Sequence, residues 1–206
     1  LQPESDDGTT AGATATPPAV ESGSLECSSG RRVLDKQNFP SGIRVGGTCE
    51  LQLNDCTLWK VEATAGKLVI VGGTLFEGLT SDGAEIELRD VTSYDTLDFE
   101  RGSAILERAS VHASETALHA VDTELRIADS TLSGGPVALD LQGGVVRTVA
   151  IRGGTLRAAI AARVRGPVSL SLDGVERSGE LVEVEGASIQ ELKPAVETPP
   201  PNPAKD

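Results

Sequence analysis

The sequence predicts an all-β solenoid, a parallel β-helix of about seven coils. Three observations carry that reading. A pattern of apolar, any, apolar, any, Asp or Gly, small, then Thr or Ser recurs seven times, with copies starting at Leu51, Leu68, Ile86, Ala104, Leu125, Val149 and Leu170. These starts lie 17, 18, 18, 21, 24 and 21 residues apart, and a repeat near 20 residues marks a solenoid. Windows of 3.6 periodicity and capping boxes do not recur between copies, so a helix is not part of the unit.

The first element of each coil is a strand. Its first and third positions are apolar and its second is free, the period-two alternation of a strand with one buried face. A bend follows at Asp55, Gly72, Asp90, Asp129, Gly153 and Asp173, residue types that tolerate turn conformations. Arg108 breaks that series in the fourth coil. The next slot holds small residues, among them Cys56, and the one after it forms a hydroxyl row: Thr57, Thr74, Thr92, Ser110, Thr131 and Thr155, ending at Val175. One column of Thr is the expected form of a hydroxyl ladder on a β surface, whereas an ice-binding face wants two. A second strand-like segment follows, with outward residues Glu62, Asp98, His119, Asp140, Arg163 and Glu183. Most coils then close at a glycine: Gly66, Gly83, Gly102, Gly144, Gly166 or Gly186.

Steps of this length suit three faces per turn. The Asn column of a leucine-rich repeat is missing, and the drift to 24 residues does not fit a left-handed hexapeptide helix. Over roughly residues 44 to 192 the chain resembles the right-handed parallel β-helix proteins of the pectate-lyase-like superfamily. That resemblance implies right-handed coils and rests on repeat geometry, not on a catalytic motif. Coils spaced by about 4.8 Å would stack Leu, Ile and Val into a dry interior. Both open ends then need covering.

The organisation follows. Residues 1–24 form a tether of Thr, Ala, Gly, Ser, Pro and acid, read as disordered. Residues 25–48 form an N-terminal cap and first irregular coil, and 49–192 the β-helix. The segment from Ile189 to Pro194 closes the far end, and 193–206 is a disordered Pro-rich tail. A disulfide between Cys27 and Cys49 would staple the cap, with Cys49 to Cys56 the alternative. Cys56 suits a buried, unreactive thiol.

Composition narrows the function. A formal net charge of −13 argues against nucleic acid as a partner. Three Phe, one Trp and one Tyr are few for a sugar-stacking groove. Metal binding lacks a CxxC, and no cofactor motif is present. No run approaches the roughly 18 apolar residues of a membrane span. The opening into a polar tether fits an exported chain of the bacterial periplasm, outer membrane or cell surface. A lipid anchor just before Leu1 is the more specific form of that expectation.

Charge is polarised along the axis. Residues 77–124 carry twelve acids and three bases, net −9, and 145–177 carry six arginines and two acids, net +4. The candidate interaction surface is therefore Tyr94, Asp95, Asp98, Glu100 and Arg101 in the acidic part. In the basic part it is Arg147, Arg152, Arg157, Arg163 and Arg165. The expected function is a non-enzymatic structural or protein-interaction module within a larger assembly or at the cell surface. A small carbohydrate-binding or carbohydrate-cleaving β-helix is the alternative.

Overall fold

The computed structural model describes residues 24–192, which form 22 strands and no helix. The tether over residues 1–24, apart from Ser24, and the tail over 193–206 lie outside the described residues. The chain winds as a parallel β-solenoid of about nine turns, with every strand pairing parallel to the equivalent strand one coil away.

Three sheets run along the axis. Sheet one stacks Lys67–Val71, Glu85–Arg89, Ser103–Glu107, Glu124–Ala128, Arg147–Arg152, Val168–Asp173 and Ser188–Leu192 on the later halves of Leu25–Asp35 and Ile43–Asn54. Sheet two is narrow. It runs from Asn38–Phe39 through Thr57–Leu58, Thr74–Leu75, Thr92–Ser93, Ser110–His112 and Thr131–Ser133 to the starts of Thr155–Arg165 and Glu176–Val184. Sheet three contains Val61–Ala63, Leu79–Asp82, Leu97–Glu100, Thr116–Val121 and Val137–Gln142, flanked by parts of the long strands at both ends.

The coil count exceeds the seven expected. Residues 25–48, read as a cap with a first irregular coil, pair in parallel register with the next coil: Leu25 opposite Ile43, and Leu34 opposite Leu53. The segment from Ile189, read as an end closure, likewise forms a rung, with Leu170 opposite Ile189 and Leu172 opposite Glu191. Each terminal coil has a described neighbouring coil on one side only. Their interior slots therefore accept residues such as Arg32 and Glu191, and the apolar repeat fails there.

Inside, the alternation holds coil after coil. One column runs Leu53, Ile70, Leu88, Leu106, Ile127, Ile151 and Leu172, all buried. Each such side chain is worth about 1.5–3 kcal/mol in transfer free energy, and the contacts that realise it come from neighbouring coils. Cys27 and Cys49 form a disulfide with Cα atoms 5.7 Å apart. Both residues are buried, so the bond joins the first two coils from within. Cys56 is a free, buried cysteine whose Sγ lies 3.4 Å from the Asn54 carbonyl, and burial pushes its thiol pKa up.

One corner repeats with little variation. Lys36, Asp55, Gly72, Asp90, Arg108, Asp129, Gly153 and Gly174 all take the left-handed conformation, with φ between 49° and 69°. The bend of the last full repeat is thus Gly174, not Asp173. Arg108, which breaks the residue pattern, keeps the conformation. Its guanidinium forms two bonds to Asp90 at the same corner one coil earlier, at 2.7 and 2.8 Å. In the small slot after the bend, a Cβ on Gly73 would meet the Cys56 carbonyl oxygen at 2.1 Å, at a φ of 90°. Only glycine fits there.

Candidate functional site: two ladders on the outer faces

Two outward columns acquire chemistry from the stacking. The first stands beside the hydroxyl row. Thr57, Thr74, Thr92, Ser110, Thr131 and Thr155 pair coil to coil as expected, though the row starts at Asn38 and ends at Glu176 instead of Val175. Two residues after each of its second to fifth members, in consecutive coils, come Trp59, Phe76, Tyr94 and His112. Alternation turns these outward on the same face, where they form a ring ladder. Centroids are 4.8 Å apart for Trp59 and Phe76, 5.8 Å for Phe76 and Tyr94, and 6.4 Å for Tyr94 and His112. Trp59 is 39 % exposed, Phe76 40 % and Tyr94 55 %. Three of the five aromatic residues thus gather in one exposed column.

Composition hid this ladder, because five aromatics are few. The signal that finds it is positional: an aromatic or His two places beyond the hydroxyl slot in four successive coils. The chemistry of the ladder follows from its geometry. Phe76 and Tyr94 are nearly parallel, with an interplanar angle of 21°, so inner ring faces contact other rings. The exposed surface of the three aromatic rings makes a largely apolar ridge.

The second column runs along sheet three as Glu26, Arg44, Glu62, Thr80, Asp98, His119, Asp140 and Arg163. Glu183, expected at its end, is displaced. Register shifts near Ile160 place Val182 opposite Arg163 and turn Glu183 under Val164, an interior position. Opposite charges alternate along most of the column. Arg44 reaches Glu62 at 3.0 Å and Glu26 at 3.6 Å. Lys60 and Arg44 together hold the Glu62 carboxyl below its usual pKa.

The densest part lies around Asp140, whose side chain is only 5 % exposed. Its oxygens accept from Arg163 Nε at 3.2 Å and from Arg165 Nη2 at 3.0 Å. A buried carboxylate persists only when its charge is matched in this way. His119 Nδ1 lies 3.0 Å from Asp98 Oδ1, and that hydrogen bond raises the His119 pKa against the opposing effect of burial. The column matches most of its own charge. Among the described residues, no group of three His, Cys, Asp or Glu side chains is placed to hold a metal ion.

The candidate residues are distributed around the solenoid. Tyr94 belongs to the ring ladder. Asp95 Oδ1 accepts from the Thr96 amide at 2.7 Å at the next corner. Asp98 belongs to the ionic ladder, Glu100 ends that strand, and Arg101, at φ 61°, pairs with Asp82. Of the arginines, Arg163 and Arg165 converge on Asp140. Arg147 and Arg152 stand on sheet one, and Arg157 continues the ring column on sheet two, opposite Ser133. Arg152 also borders an open groove of about 470 Å³ with Ile105, Arg126, Thr148 and Ala150.

Fold and surface together define a class: a parallel β-solenoid with an internal disulfide and two outer ladders. Nothing narrower is set by likeness to other proteins, since no family model, no curated protein and no solved structure matches the chain.

Proposed function

We propose that this chain is a non-enzymatic, exported interaction module that docks a protein partner along its ring-bearing face. The observation that carries the reading is the exposed ladder of Trp59, Phe76, Tyr94 and His112. Trp and Tyr dominate the buried centres of protein interfaces. Rings already held by their neighbours lose little further freedom on binding. Glu77, Asp95 and Glu115 lie in the turns that follow ladder residues, within the acidic stretch, so a partner with a basic surface is the complementary one. Export is supported by the Cys27–Cys49 disulfide, since such bonds persist in oxidising compartments.

Site-specific photo-cross-linking tests this in cells that make the protein. A benzophenone amino acid at Phe76 is expected to give one discrete protein adduct, and the same probe at Thr80 on sheet three none. Trp59→Ala with Tyr94→Ala should abolish the adduct. Equal adducts from both positions, or none from Phe76, would refute the docking reading.

The carbohydrate reading has one observation in its favour: the Thr row runs directly beside the rings. Against it, stacking on a sugar uses ring faces, and the central ring, Phe76, has a ring neighbour on both sides. A glycan array and a reducing-sugar assay separate the two readings, since glycan binding lost on Tyr94→Ala would replace protein docking.

A further inference from the structure

The outer face of sheet one carries a hollow that belongs to neither ladder. Ser103–Glu107 pairs with Glu124–Ala128 over five residues, and Arg147–Arg152 pairs with Val168–Asp173 over six. Between Glu124–Ala128 and Arg147–Arg152 only three pair, Arg126 to Ala128 with Ala150 to Arg152. The circuit joining these two strands is the longest of the repeats, 24 residues from Leu125 to Val149. The ladder is therefore parted over Glu124 and Leu125. The groove of about 470 Å³ opens there, with Glu124, Leu125 and Thr148 in its lining.

Side-chain size deepens the hollow. Alternation turns Ile105, Ala128 and Ala150 outward, since Leu106, Ile127 and Ile151 beside them are buried. Ala128 lies between Glu107 and Arg152 in adjacent coils, and Ala150 lies opposite Arg126. Short apolar side chains thus alternate with long charged ones, and the floor is apolar. The charges of the wall do not cancel. Glu107 is paired with Arg89 at 3.5 Å and Glu124 with Arg126 at 3.1 Å. Arg152 is exposed, and among the described residues no carboxylate lies within ion-pair distance of it, Asp173 in the next coil included.

We propose that this groove binds a small organic anion, with an apolar body on Ile105, Ala128 and Ala150 and an oxyanion head on Arg152. Its volume, apolar floor and single unmatched charge are those of a small-molecule site. The guanidinium offers parallel N–H donors that fit a carboxylate, sulfonate or phosphate. The apolar body displaces water from the floor, which favours binding in proportion to the area covered. A cationic ligand is disfavoured, because both carboxylates of the wall already hold an arginine. The groove is on sheet one and the rings are on sheet two, so this site stands whether or not the docking reading does.

Fluorescence titration of the purified chain with anilinonaphthalene sulfonate, an apolar ring system bearing one sulfonate, tests the site. One saturable site is expected. Arg152→Gln should weaken it about tenfold or more, because a charge-assisted bond is lost. Ala150→Phe, which fills the floor, should abolish it. Both positions are exposed, so the β spectrum should persist in circular dichroism. Tyr94→Ala, in the ring ladder, should leave the affinity unchanged. Octanoate should displace the probe at concentrations at least about tenfold below those octanol needs, and inorganic sulfate should not displace it. Absence of saturable binding overturns the inference. So does binding that survives either groove variant, that Tyr94→Ala removes, or that octanol or sulfate displaces as well as octanoate.

Discussion

The ring ladder on sheet two and the ionic ladder on sheet three are built by the same geometry and come out chemically opposed. Each repeats one outward position at the coil spacing. On sheet three the repeat alternates sign, so Asp98 meets His119 and Asp140 meets Arg163, and most of the column's bonding capacity is used within the protein. On sheet two the repeat stacks like with like, and Trp59, Phe76 and Tyr94 keep apolar surface in water. A charge column can be conspicuous in sequence and internally satisfied. A ring column can be sparse in composition and still be the surface with unspent affinity.

Substitutions that break each ladder should separate the two by size. The largest effect is expected from Asp140→Ala, which leaves Arg163 and Arg165 without their carboxylate; urea unfolding should show a loss of about 3 kcal/mol. Phe76→Ala removes the ring between two neighbours and should cost about 1–2 kcal/mol, with Trp59→Ala costing less because Trp59 has one ring neighbour in the ladder. A double-mutant cycle between Phe76 and Tyr94 should give a coupling of about 0.5 kcal/mol or more, and strict additivity would mean the rings merely sit side by side. Glu62→Gln, in the exposed part of the ionic ladder, should cost less than about 1 kcal/mol and lose even that in high salt.

The smallest effect is visible only as a pH slope. The folded His119 pKa is raised above its unfolded value by Asp98. Its stabilising contribution is therefore complete below about pH 6.5, the ordinary histidine value, and disappears as pH rises through the higher folded value. Thermal melts of His119→Gln should lack this part of the slope. An unchanged slope would show that His119 and Asp98 touch without exchanging charge.

The interior of the middle coils was readable because Leu, Ile and Val recur wherever a slot faces other coils. The terminal coils were not, because Arg32 and Glu191 occupy slots with a described coil on one side only, and the apolar pattern lapses where its cause lapses. The ionic column was legible up to Arg163. Beyond it, bulges around Ile160 shift the register, and a one-residue slip exchanges inside for outside: Val182 takes the place assigned to Glu183. Tyr94, Asp98 and Arg157 stand out in the sequence by their chemistry, but which sheet each occupies depends on where the corners fall. The ring ladder is invisible to composition and emerges only in register, because Trp59, Phe76, Tyr94 and His112 lie 17, 18 and 18 residues apart.

The left-handed corner from Lys36 to Gly174 has a consequence for how such a chain can change length. Whatever lies between two successive corners is one closed circuit, returning the backbone to the same place one rung higher. Removing residues 73–90 would join Gly72 to Val91 and bring the corner of one circuit directly to the small slot of the next. Gain or loss of one whole circuit leaves the direction in which every remaining side chain faces unchanged. The height of the solenoid is adjustable in single rungs.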